Sequence, residues 1–148
     1  MADLLHLDNQ LCFALYSASR AMTAAYVPLL EELGLTYPQY LVMLVLWQHD
    51  GERVSQIGER LALDSATLTP LLKRLEAREL IARKRSTADE RVVEVFLTPA
   101  GKRLEKRAAK IPKCMLEKAQ LSAAELGELR TQLHVLIDQL RSDDESAV

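Results

Sequence analysis

Two short helical stripes separated by only three residues constrain this chain more than any other feature. Ser55 to Leu61 sets Ile57 and Leu61 on one side, and from Ser65 to about Glu79 the leucines Leu68, Leu71, Leu72 and Leu75 recur at i, i+3, i+4 and i+7. Between them Ala62-Leu63-Asp64 leaves room for a tight turn and nothing else, so the pair reads as a helix-turn-helix. Two strand-like runs follow, Ile81 to Ser86 and Arg91 to Leu97. The polar loop Thr87-Ala88-Asp89-Glu90 between them predicts a β-hairpin, the wing.

Helices flank this unit on both sides. An apolar stripe through Leu11, Leu15, Ala18 and Met22 predicts a first helix from about Asp8 to Leu30. Thr36, with Pro38 in the first turn and Gln39 three residues on, predicts a capping box opening a second helix that is apolar nearly all round through Trp47 and therefore buried. Thr98-Pro99 caps a long helix beginning near Ala100, and Ser122 with Glu125 forms another capping box that opens the last helix. The expected architecture is mainly α with a small β-hairpin, in the order ααααββαα. Residues 1–148 read as one winged helix-turn-helix domain: 53–98 form its central unit, 1–35 and 99–141 are helices that dimerise, and 142–148, rich in Asp, Glu and Ser, are a flexible tail. The outer helices are too long and too apolar to be covered by one small domain, which predicts a partner subunit.

Charge narrows the function classes. The chain is slightly acidic, at a net charge of -2, which taken alone argues against a nucleic-acid partner. Its distribution argues the other way: residues 1–52 carry 1 basic and 6 acidic side chains, whereas residues 53–91 carry 9 and 6 and residues 92–118 carry 7 and 3. A basic middle lies between acidic ends. The amino terminus lacks a basic segment followed by an apolar one, and the longest apolar run, Tyr40 to Trp47, is too short to span a bilayer, so the expectation is a cytoplasmic protein. His6, His49 and His134 are scattered and the two cysteines form no C-x-x-C pair, which predicts neither a metal nor a cofactor. No glycine-rich phosphate loop or Ser/His/Asp constellation is recognisable.

With the leucines of the second short helix facing inward, Ser65, Ala66, Thr69, Pro70 and Lys73 face outward, with Thr67 and Arg74 on the flank. Hydroxyls near a helix start can reach base edges or phosphates, and the two cations can neutralise backbone charge. Pro70 breaks a local rule by removing a helix hydrogen bond, as functional places tend to do. On the wing, Arg83, Lys84 and Arg85 with Arg91 at the tip concentrate positive charge in a narrow projection suited to a minor groove, while Asp89 is placed to orient Arg91 by ion pairing. The expected partner is double-stranded DNA. A further row of cations, Lys102, Arg103, Lys106, Arg107, Lys110 and Lys113, reads as a solvated face.

The run Asp64-Ser-Ala-Thr-Leu-Thr-Pro-Leu-Leu-Lys-Arg-Leu75, the Asp89-Glu-Arg91 wing and Val95-Phe-Leu-Thr-Pro-Ala-Gly101 resemble the core of MarR-type repressors, and the similarity extends over almost the whole chain. The resemblance implies a homodimer held by its first and last helices on a pseudo-palindromic operator, with two recognition helices in major grooves about one DNA turn apart. Within that family, Leu11-Cys-Phe-Ala-Leu-Tyr-Ser-Ala-Ser-Arg20 is similar to the organic hydroperoxide sensors, the OhrR group. That likeness implies a peroxidatic thiol at Cys12, hydrogen-bonding partners at Tyr26, Tyr37 and Tyr16, and a resolving thiol at Cys114.

Elementary chemistry bears on the same residues. A cysteine in the first turns of a helix meets the positive end of the macrodipole, which favours thiolate, the form that attacks peroxide. Lys110 and Lys118 lie four residues either side of Cys114 and favour the same charge state there. Tyr26 lies fourteen residues beyond Cys12 on one helix, a rise of about 21 Å. A Tyr26 that touches a Cys12 must therefore touch that of the other subunit. Two other readings use the same residues: a repressor released by a small aromatic ligand, with Cys12 lining the pocket, and a thiol peroxidase, for which the sequence offers no peroxidase fold.

Overall fold

The computed structural model describes residues 2–146. Its backbone falls into two compact units that meet between Ala109 and Lys110. The first unit opens with two 3-10 turns, Ala2–Leu5 and Leu7–Asn9, followed by α1 (Leu11–Glu31), α2 (Tyr37–Gln48), α3 (Val54–Leu61), α4 (Ser65–Ala77), β1 (Ile81–Arg85), β2 (Val93–Leu97) and α5 (Pro99–Ala108). The second holds α6 (Ile111–Ala119) and α7 (Ala123–Ser146). No helix among the described residues is long and apolar enough to cross a membrane.

The first unit is organised around α2, whose residues Gln39, Tyr40, Val42, Met43, Val45 and Leu46 are buried. It packs against α1, α3, α4, α5 and β2. Its expected capping box is present: Gln39 N–H donates to Thr36 Oγ1 at 3.3 Å and Thr36 N–H donates to Gln39 Oε1 at 3.1 Å. Leu68, Leu71, Leu72 and Leu75 of α4 are buried as the stripe requires. The strands pair antiparallel, from Ile81 opposite Leu97 to Arg85 opposite Val93. The segment before α3 extends this hairpin, since Val95 exchanges backbone hydrogen bonds with Gly51 and Glu52 at 3.0 and 2.8 Å.

Several boundaries depart from the sequence expectation, among them the start of β2, which lies at Val93 instead of Arg91 and leaves Arg91 in the loop. The chain reaches α1 through 3-10 turns, so that helix begins at Leu11 instead of Asp8. Helix α4 stops at Ala77, short of Glu79, because Glu79 adopts a left-handed conformation (φ 58°). Glu79 N–H then donates to Glu76 O at 2.9 Å and Leu80 N–H to Leu75 O at 3.1 Å, which closes a Schellman motif without the usual glycine. The single long helix from Ala100 is divided into α5 and α6. Pro112 has no N–H to give the Ala108 carbonyl and its ring crowds that carbonyl, so the helix restarts with Pro112 in a first turn, where it is tolerated. Two helices were expected after the wing and three are present. Finally, α7 continues to Ser146, so helix occupies 142–146, where the composition suggests a tail, and residues 147–148 lie outside the described residues.

The start of α5 fixes the wing to the rest of the unit. Thr98 caps it, its hydroxyl accepting from Gly101 N–H at 3.1 Å and donating to Glu79 O at 2.6 Å. Gly101 is buried and packs so closely that a Cβ there would overlap the Leu80 carbonyl oxygen.

Candidate nucleic-acid interface and thiol site

The candidate interface begins at the turn between α3 and α4. Ala62 takes a left-handed conformation that ends α3, and Asp64 caps α4, accepting from Thr67 N–H at 2.8 Å. That bond holds the Asp64 carboxyl below its ordinary value of 3.8, so it is ionised at the positive end of the helix. Ser65, Ala66, Thr67, Pro70, Lys73 and Arg74 are exposed, and Thr69 is half-buried. Helix α4 runs through Pro70 without breaking.

The wing cations have unequal roles. Arg83 is half-buried and bound to Glu76 of α4, with its guanidinium 3.1 Å from the carboxylate and its backbone N–H donating to the same group at 3.1 Å. These bonds hold the Glu76 carboxyl below 4.5. Lys84 lies over the Phe96 ring, 5.5 Å from its centroid, and Arg85 donates to Glu90 O at 2.9 Å across the loop. Lys84, Arg85 and Arg91 are exposed, and the Arg91 side chain projects with 90% of its surface free. It is oriented by Asp89, which accepts from Arg91 Nε and Nη2, both at 3.2 Å, and from Arg91 N–H at 3.0 Å. Those bonds lower the Asp89 carboxyl below 3.8.

A cavity of about 320 Å³ lies between α3, α4 and the wing, and Arg53, Ser55, Thr69, Arg83 and Arg91 help to line it. Arg53 and Ser55 are not among the residues the sequence marks for DNA contact, because one precedes the first short helix and the other opens it; the basic composition of the 53–91 segment is their only signal. Their proximity to the wing depends on the extra pairing of residues 51–53 with β2.

The thiol region is built differently. Cys12 is the second residue of α1 and is exposed. Tyr26 lies on the same unbroken helix, so the rise of about 21 Å between them holds. Tyr26 and Tyr37 do come together, with ring centroids 5.1 Å apart, and Tyr40 joins them at 5.7 Å from Tyr26 and 6.4 Å from Tyr37. Burial raises the phenol pKa of all three, Tyr40 to about 12. They therefore remain hydrogen-bond donors throughout the neutral range. Tyr40 was legible only as core, although its i, i+3 relation to Tyr37 on α2 marks a shared face. Tyr16 is exposed and lies outside the cluster, with Arg20 over its ring at 5.4 Å. Cys114, in the second unit, is half-buried on α6, with Lys110 and Lys118 one turn either side.

Comparison with known proteins decides the family. Residues 24–108 match the transcriptional regulator SarA/Rot family. The chain is 49% identical over 138 residues to an organic hydroperoxide resistance transcriptional regulator of Bacillus subtilis, covering 93% of this chain and 94% of that protein. The chain belongs to the MarR family of transcriptional regulators. Among solved structures, reduced AbfR bound to DNA is 33% identical with a TM-score of 0.80, covering 95% of this chain and 96% of that one. AbfR in its disulfide form is also 33% identical, with a TM-score of 0.64 and coverage of 97% and 96%. The winged-helix fold of this MarR-family regulator thus follows both from its own leucine spacing and from its relatives.

Proposed function

We propose that this regulator is a cytoplasmic homodimeric repressor that binds double-stranded DNA when reduced and releases it when an organic hydroperoxide oxidises Cys12. The observation that carries the reading is an exposed cysteine in the first turn of α1 on a chain 49% identical to an organic hydroperoxide resistance regulator. The AbfR neighbours, one reduced on DNA and one with a disulfide, support a thiol switch on this fold.

In this reading Ser65, Thr67, Thr69, Pro70, Lys73 and Arg74 meet the major groove, and Arg91, aimed by Asp89, enters the minor groove. Lys84 and Arg85 add charge along the wing. Arg83 acts through Glu76 by fixing the wing to α4, and Arg53 and Ser55 face the DNA backbone. Residues 53–98 are the DNA-binding unit; 1–35 and 99–141 form the dimer.

The Cys12 thiolate attacks one peroxide oxygen. A sulfur–oxygen bond forms as the oxygen–oxygen bond breaks, the alcohol leaves after taking a proton, and the cysteine becomes a sulfenic acid. Cys114 then displaces water from that sulfur to form a disulfide. Tyr26 and Tyr37 of the partner subunit donate hydrogen bonds to the Cys12 sulfur, because the length of α1 removes those of the same chain.

Operator binding tests the whole reading. A duplex selected from a random pool by the reduced protein is titrated with and without one equivalent of cumene hydroperoxide. Wild type should release it, and Cys12→Ser should stay bound. Release of the Cys12→Ser protein by peroxide would overturn the sensing role of this sulfur.

A further inference from the structure

We infer that Arg78 couples the thiol-bearing helix α1 to the recognition helix α4, so that it sets how strongly oxidation changes DNA affinity. The inference rests on the peroxide-switched reading above and assigns a positioning residue within it.

The geometry is direct. Helix α1 carries Cys12 at one end and continues for 21 residues to Glu31, a length of about 30 Å, with Pro28 one turn before its end, so a displacement of its start can reach the turn that follows. The chain then turns through Leu33, Gly34 and Leu35, with both leucines buried. Two carbonyls of that turn are taken by one side chain: Arg78 Nη2 donates to Leu33 O at 3.3 Å and Nη1 donates to Gly34 O. Arg78 is the C-cap of α4, its own N–H donating to Arg74 O at 3.1 Å. The exit of the sensing helix and the end of the reading helix are therefore held by one planar fork.

The turn is shaped around that fork. Gly34 has φ +67°, and a Cβ there would come within 2.7 Å of Arg78 Nη2. A guanidinium suits this place because it offers two donors in fixed geometry to two carbonyls at the negative end of α1. A second arginine caps the same end elsewhere: Arg107 of α5 donates to Glu32 O at 2.6 Å. It supplies an internal control, since it holds the same end of α1 to α5 instead of α4.

The test compares operator dissociation constants of reduced and peroxide-oxidised protein, measured by fluorescence anisotropy on the selected duplex, for wild type, Arg78→Gln, Arg78→Lys, Gly34→Ala and Arg107→Gln. The oxidised-to-reduced ratio is the readout, because a merely structural loss weakens both states and leaves it unchanged. Arg78→Gln and Gly34→Ala should lower the ratio about 2- to 30-fold. Arg78→Lys, which keeps the charge but loses the fork, should lower it less, and Arg107→Gln should keep it. A wild-type ratio in Arg78→Gln and Gly34→Ala, or an equal fall in Arg107→Gln, would overturn the inference. Should the wild type show a ratio of one, the sensing reading itself fails and takes this coupling with it.

Discussion

The unit from α3 to β2 and the amino-terminal half of α1 solve the burial problem in opposite ways. In the first, Ile57, Leu68, Leu72, Leu75, Ile81 and Val95 are almost wholly buried within a single chain, and Glu76, Asp64 and Asp89 each have partners a few residues away. In the second, Leu11 is 61% exposed, Tyr16 59% and Phe13 42%. On α7, considered by itself, Val135 is 52% and Leu140 61% exposed. A reading head that is complete in one chain can dock as a rigid body. A helix face left apolar at this level of exposure is completed by another surface, and a second copy of the chain is the occupant that the proposed dimer supplies.

Substitutions in the two regions should therefore fail differently. Leu68→Ala removes a buried side chain from the self-contained unit and should cost about 2–5 kcal/mol of unfolding free energy, independent of protein concentration, in chemical denaturation. Leu11→Glu should leave the fold of each chain intact yet raise the dimer dissociation constant by about a hundredfold or more, seen in sedimentation, because it buries an unpaired charge at the interface. If Leu11→Glu instead lowered stability without affecting association, the contrast between the regions would break.

Within the reading unit the contrast sharpens to single arginines. Arg91→Ala should weaken operator binding by about 1–3 kcal/mol while leaving the melting temperature nearly unchanged, because the hydrogen bonds of its exposed side chain go to Asp89, two residues away in the same loop. Arg83→Ala should show the reverse emphasis, a lowered melting temperature first, since its guanidinium ties β1 to α4.

The smallest expected effect is with acid. Asp64, Glu76 and Asp89 have carboxyls held below their ordinary values in the folded state. The unfolded chain binds protons first, so their stabilisation is fully present above the ordinary values of 3.8 and 4.5 and is lost as pH falls further, through the depressed folded values. Amide resonances of Thr67 and Arg91 should thus hold steady from about pH 8 to pH 5 and shift only in stronger acid. A shift near neutrality would contradict the bonds that cap α4 and close the wing.

Much of this was legible because it is local. Thr36 and Gln39, Thr98 and Pro99, and Ser122 and Glu125 are caps whose geometry needs only a few residues, and the leucines of α4 announce their face by spacing. What escaped depends on contacts between distant segments or on one unusual backbone angle. The end of α4 turns on Glu79 in a conformation that favours glycine. Arg83 read as a DNA contact from its charge, but its partner Glu76 comes near only when the chain folds back into β1. Tyr40 read as core, yet it completes the tyrosine cluster, and Arg53 gains a place beside the wing only through the added pairing with β2. The division of α5 from α6 is written in Pro112, but the continuous cationic row across it hides the break.

The claim on which most depends is that α1 of one chain brings Tyr26 to Cys12 of another. In a Cys114→Ser background, Tyr26→Cys places a second thiol at that position, and mild oxidation followed by non-reducing electrophoresis and peptide mass mapping reads the outcome. Two cysteines about 21 Å apart on one rigid helix cannot bond to each other, so the account predicts a covalent dimer joined between residue 12 of one chain and residue 26 of its partner. A product that stays monomeric, or a dimer joined only through the two Cys12 sulfurs, would contradict it.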